Sequence, residues 1–256
     1  MKNLKTSRNR FFFFILTVLC VGVSVFISQF FANVISTSSF SISNISATEI
    51  SYTLYSLSAK NFLTKTQATE FANDLRSKNS GGYVYELNNK YYVICSIYEH
   101  ENDAKSVLDN IINNLPSAEI IPITIENVNL STLSNQNIKK SFLNVFSKIK
   151  QTYLELYDIS VSLDTSIYSE TKALLESSKI LEELQSTLDS IPTGSSASEG
   201  AYSIIIKTKL KNINSYLNDL INFSSSENYT LSAKIKDTYI NIVFENINLV
   251  EALNEK

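Results

Sequence analysis

From Phe11 to Ile35 the chain runs 25 residues without a charge, beginning FFFFILTVLCVGVSVFISQFF. A helix rises about 1.5 Å per residue, so roughly 20 apolar residues cross a hydrocarbon core about 30 Å thick. Lys2, Lys5, Arg8 and Arg10 all precede this run, and the next charge of either sign is Glu49. A basic cluster on one side only predicts that residues 1–10 stay in the cytoplasm and that everything past residue 35 is exported. The expected location is therefore the cytoplasmic (inner) membrane, single-pass, with the N-terminus inside. A cleaved signal peptide is the competing reading. Against it, the run exceeds the usual 7–15-residue signal core and no A-x-A site closes it.

Charge divides at the same place. Of 22 basic and 25 acidic residues, four basic and one acidic lie in residues 1–50, which leaves 18 against 24 in the exported part. An acidic ectodomain has no electrostatic means of neutralising phosphates, so nucleic acid is not an expected partner. Cys20 lies within the span and cannot meet Cys95, so no intramolecular disulfide is expected.

Residues 36–50 (STSSFSISNISATEI) read as a Ser/Thr/Asn-rich linker. Residues 51–126 then alternate in type. Tyr52–Ser58 is rich in β-formers. Thr64 with Gln67 forms a capping-box pattern ahead of Ala68, Phe71, Ala72 and Leu75 at helical spacing, and Gly81-Gly82 stops that helix. YVYEL (83–87), an Asn88-Asn89 turn and KYYVICSIY (90–98) read as a hairpin. A second helix spans 101–115 up to Pro116. AEIIPITI (118–125) is a last strand, and Pro122 favours an edge position for it. The order β-α-β-β-α-β is the ferredoxin-like split βαβ arrangement, a four-stranded antiparallel sheet with two helices on one face and the other face open.

Residues 133–256 change to helical periodicity. Ile138, Phe142, Val145, Ile149, Thr152, Leu156, Ile159 and Leu163 step at threes and fours, and three further segments follow, broken near Asp164-Thr165-Ser166, Pro192–Ser196 and Ser224–Glu227. Short joints between amphipathic segments predict an antiparallel helical bundle as a separate domain. The fold class is α+β: a transmembrane helix, a β-α-β-β-α-β domain, then an all-α bundle.

Catalytic chemistry finds little footing. His100 is the single histidine, no G-x-S-x-G elbow or phosphate loop is present, and the exported part lacks the ligands for a zinc site. No catalytic residue, metal or cofactor is expected. Tyrosine is the informative residue type. Residues 52–98 hold seven of the chain's 14. Strand alternation puts Tyr92, Ile94, Ser96 and Tyr98 on one face, with Tyr83 and Tyr85 together on the neighbouring strand. Rings with polar tips suit stacking on flat sugar faces, so the candidate glycan-binding face is Tyr55, Tyr83, Tyr85, Tyr92, Ser96 and Tyr98.

The segment 52–125 resembles a SPOR domain, the bacterial sporulation-related repeat. That family opens each half-repeat with a strand of the type Tyr-x-Val-Gln-x-Gly followed by an Ala-rich helix. Here Tyr91–Tyr98 with Asp103-Ala104 is similar to the second half, and Tyr52–Ser58 with Ala68 to the first. Tyr55 stands where the family often has Gln, Leu57 and Ser96 where it often has Gly, and Ile94 where a polar or basic residue is common. The resemblance implies non-catalytic binding of peptidoglycan glycan strands, in cell division or sporulation, with divisome or spore-wall proteins as further partners. The alternative expectation is a membrane-anchored scaffold that works through its helical region.

Overall fold

A computed structural model describes residues 51–194, 196–226 and 228–255. The expected cytoplasmic tail, membrane span and most of the linker lie outside these. No helix among the described residues is long and apolar enough to cross a membrane.

Strand β1 (Tyr52–Phe62) leads into α1 (Lys65–Arg76), whose first turn is closed by the Thr64 hydroxyl accepting from the Gln67 amide. The hairpin β2 (Tyr83–Leu87) and β3 (Lys90–Tyr98) turns at Asn88 and Asn89, both at positive φ (52° and 58°), the conformation that a two-residue loop between right-twisted strands requires. Helix α2 (Glu101–Ile111) and strand β4 (Glu119–Ile125) complete this half. The sheet is antiparallel in the order β2-β3-β1-β4, so Pro122 does sit on an edge strand. Helices α1 and α2 cover one face through Ala68, Ala72, Leu75 and Ala104.

The second half is four helices: α3 (Gln136–Asp164), α4 (Glu170–Ser190), α5 (Ala197–Ile221) and α6 (Leu231–Asn254). Each packs on the next and α6 returns to α3, closing an antiparallel bundle. Side chains cap every start: Asn135, Ser169, Ser196 with Glu199 in a reciprocal box, and Thr230.

The expectation of a second, open sheet face is overturned. Helix α6 lies across β2, β3 and β4, so the sheet is sandwiched between the α1–α2 pair and the bundle. Leu54, Ile94, Ile97, Ile123 and Ile125 of the sheet belong to the same apolar core as Ile240, Val243 and Phe244 of α6. The described residues consequently form one compact unit, not a sheet domain beside a helical one. The physical reason is area. Both sheet faces are apolar, and leaving one open would forgo about 25 cal/mol for every Å² of it.

Candidate functional site: a tyrosine patch at the sheet edge

Local backbone irregularity decides which tyrosines stay together. Along β1 and β3, Leu57 pairs with Ser96 but Ser58 pairs with Ile94, so Cys95 has no opposite number. Lys60 then pairs with Val93, leaving Ala59 unopposed. These paired irregularities break the alternation of faces. Before them Tyr92 and Ile94 point to the bundle, as strand alternation requires. Beyond them Ile97 joins the large core, whereas Tyr98 packs against the smaller α1–α2 cluster.

The six expected residues therefore scatter. Tyr55 is the direct partner of Tyr98 and alternates with Leu57, on the α1–α2 side of the sheet. Tyr98 meets the α3 residue Tyr157 edge to face at 5.9 Å. Ser96 is half-buried under α6: its hydroxyl shares a 2.8 Å hydrogen bond with that of Tyr239, which is 1% exposed. None of these three lies in a common exposed face.

Tyr83, Tyr85 and Tyr92 do stay together. Tyr85 pairs directly with Tyr92 across the ladder, Tyr83 lies two residues from Tyr85, and all three are half-buried against the large core. Phe244 of α6 lies against them. Its ring stacks on Tyr83 with centroids 4.4 Å apart and planes 11° apart, and meets Tyr85 at 4.7 Å. Such contacts add about 0.5–1.5 kcal/mol beyond area burial and fix the ring orientations. Among the described residues the hydroxyls of Tyr83, Tyr85 and Tyr92 make no hydrogen bond, so they remain available to solvent or a ligand.

Strand alternation does not reveal a further neighbour, the α5 residue Tyr216. It is half-buried against the large core, and its hydroxyl adds to the effects that disfavour ionisation of Tyr83. Partial burial raises the Tyr83, Tyr85 and Tyr216 hydroxyls above their ordinary range, and the carboxylates of Glu245, beside Tyr83 and Tyr216, and Glu251, beside Tyr85, add to this. The patch is thus aromatic and hydroxyl-bearing, and Glu245 beside it is paired with Lys209 at 3.3 Å. It can stack on and hydrogen-bond a ligand.

Other groups singled out in the sequence are structural. Cys95 is buried, its thiol donates to the Leu57 carbonyl at 3.1 Å, and burial pushes it up to about 11, which leaves it unreactive at neutral pH. His100 is exposed and stands at the N-cap of α2 without a capping bond from its side chain. Gly81-Gly82 does more than stop a helix. A Cβ on Gly82 would stand 2.6 Å from the Ala72 carbonyl oxygen, so this stretch is a close backbone crossing.

No protein-family model, curated protein or solved structure matches the chain.

Proposed function

We propose that the chain is a non-catalytic, membrane-anchored protein that holds peptidoglycan glycan strands outside the cytoplasm, in division or sporulation. The observation that carries this reading is the Tyr83–Tyr85–Tyr92 patch, whose first two rings are ordered on Phe244 and whose hydroxyls make no hydrogen bond among the described residues. A saccharide offers flat C–H faces to such rings and hydroxyls to their tips. The uncharged run at residues 11–35 and the resemblance of residues 52–125 to a SPOR domain support the same assignment. The site proposed here is narrower than a whole sheet face. It lies at the β2–β3 end of the sheet.

The test is cosedimentation of the detergent-solubilised full chain with purified sacculi, before and after amidase digestion removes the stem peptides. Binding that strengthens after digestion and falls with Tyr85→Ala or Tyr92→Ala is expected. Failure of the unaltered chain to sediment with either preparation would end the proposal.

A second reading has its own support. Ile167 in the α3–α4 joint, Leu175 on α4 and Ile204 on α5 are large apolar residues exposed by 68%, 52% and 68%. Such residues suit a protein partner of the bundle, as in the scaffold alternative. Leu175→Glu with Ile204→Glu should then abolish cross-linking to that partner in intact membranes and leave sacculus binding unchanged.

A further inference from the structure

We infer that Tyr216 of the bundle is itself a glycan-contacting residue, so that the binding surface is composite and needs both halves of the chain. This rests on the glycan reading above and goes beyond the sheet to which that reading was confined.

The placement follows from helix geometry. Ile213, Leu217 and Leu220 of α5 are fully buried, and Tyr216 lies one position off that stripe. A residue there sits at the margin of the buried face, part in the core and part in water. Helix α5 packs on α6, and α6 crosses the sheet at β2, so that margin adjoins the sheet's β2 edge. One turn before Tyr216 on the same helix, the Asn212 amide donates to Glu245 at 2.6 Å, and Glu245 directly follows Phe244, on which Tyr83 stacks. Tyr92 on β3, Tyr85 and Tyr83 on β2, and Tyr216 on α5 then form a row over three successive elements. Adjacent strands alone separate by about 4.8 Å, so the row is wider than a single aromatic contact and suits a run of linked sugars.

The absence of tryptophan from the chain supplies a clean reporter. In the detergent-solubilised full chain, Tyr216→Trp introduces a single indole. Titration with oligomers of β-1,4-linked N-acetylglucosamine should shift its emission to the blue, while the monosaccharide should produce a much smaller shift at equal concentration. Tyr216→Leu keeps the apolar packing and removes the ring and hydroxyl. It should weaken binding of the oligomer about five-fold, within the range expected for one aromatic contact. Leu175→Ala, on the exposed side of α4, should leave binding unchanged. If Tyr216→Leu binds as the unaltered chain does while Tyr85→Ala binds more weakly, the composite surface is wrong and the sheet-edge reading stands. If the unaltered chain binds neither oligomer nor sacculus, both fall together.

Discussion

Asp237 of α6 accepts a hydrogen bond from Arg76 Nε of α1 at 2.6 Å, across 161 residues of sequence, with its carboxylate 7% exposed. Its other contacts are the Gly82 amide at 2.6 Å and the Tyr229 hydroxyl at 2.7 Å. One carboxylate thus gathers three donors, from the sheet half and from the bundle. Asp237→Ala leaves a shielded guanidinium, a buried amide and a half-buried hydroxyl without their acceptor. Breaking a buried pair from one side costs about 3–5 kcal/mol, and the lower end applies because Arg76 remains 24% exposed. A fall in the thermal midpoint of about 6–12 °C is expected for a unit of this size. A fall under 2 °C would show that the carboxylate is dispensable.

Phe244 separates packing from recognition. Phe244→Ala opens a cavity beneath Tyr83 and Tyr85 and should cost about 3–5 kcal/mol. Phe244→Leu roughly conserves volume and should cost less than about 1.5 kcal/mol. It nevertheless removes the ring on which both tyrosines are ordered. The leucine variant should therefore melt close to the unaltered chain yet bind sacculi more weakly. Equal binding by the two would mean that ring orientation at the patch does not matter.

Alkali should unfold the protein through its buried tyrosines. Tyr52 accepts hydrogen bonds from Tyr153 and from the Asn246 amide, each at 3.1 Å, and desolvation pushes its hydroxyl up to about 12. Tyr153 and Tyr239 are raised by burial as well. A folded-state value above the unfolded one, about 10, means that the stabilisation is complete below pH 10. It is lost as the pH climbs through the folded value, because only the unfolded chain releases the proton early. The last tyrosines to ionise should accordingly do so together with the loss of helical dichroism, above about pH 10. Ionisation of every tyrosine with the helices intact would contradict this.

Most elements were legible because their signals are local. The Thr64 cap, the Asn88-Asn89 turn and the edge proline each act through nearest neighbours, and each appears where expected. The closed sheet face was legible too, but in a different helix. Leu231, Ile235, Tyr239, Ile242 and Leu249 mark one stripe of α6, and Ile240, Val243, Phe244 and Ile247 mark a second at the same spacing. A helix apolar on two sides must be covered on two sides, and the sheet is the second cover. The exchange of Ile97 and Tyr98 between faces was not legible. It comes from unopposed Cys95 and Ala59 in the ladder, and neither residue type announces a bulge. Tyr216 was hidden for another reason, since a residue beside a helical stripe reads as surface until its neighbour in space is known.

A shared core also predicts how the molecule comes apart. Gly82 is the sharpest place to test this, because its amide bonds Asp237 while its Cα passes against the Ala72 carbonyl. Gly82→Ala would set a methyl group 2.6 Å from that oxygen, and backbone on both sides leaves no flexible side chain to yield. Strands must shift, and the Asp237 contact shifts with them, at a cost of about 1–3 kcal/mol as for other overpacked sites. If sheet and bundle were separate folding units, the substitution would lower the stability of the first and spare the second. With Ile94 and Ile97 in one cluster with Ile240 and Val243, the loss must be felt by both. Hydrogen exchange should therefore show the slowest amides of β3 and of α3 accelerating by the same factor in Gly82→Ala, since both exchange through one global opening. Acceleration confined to β3 would overturn the single-unit description.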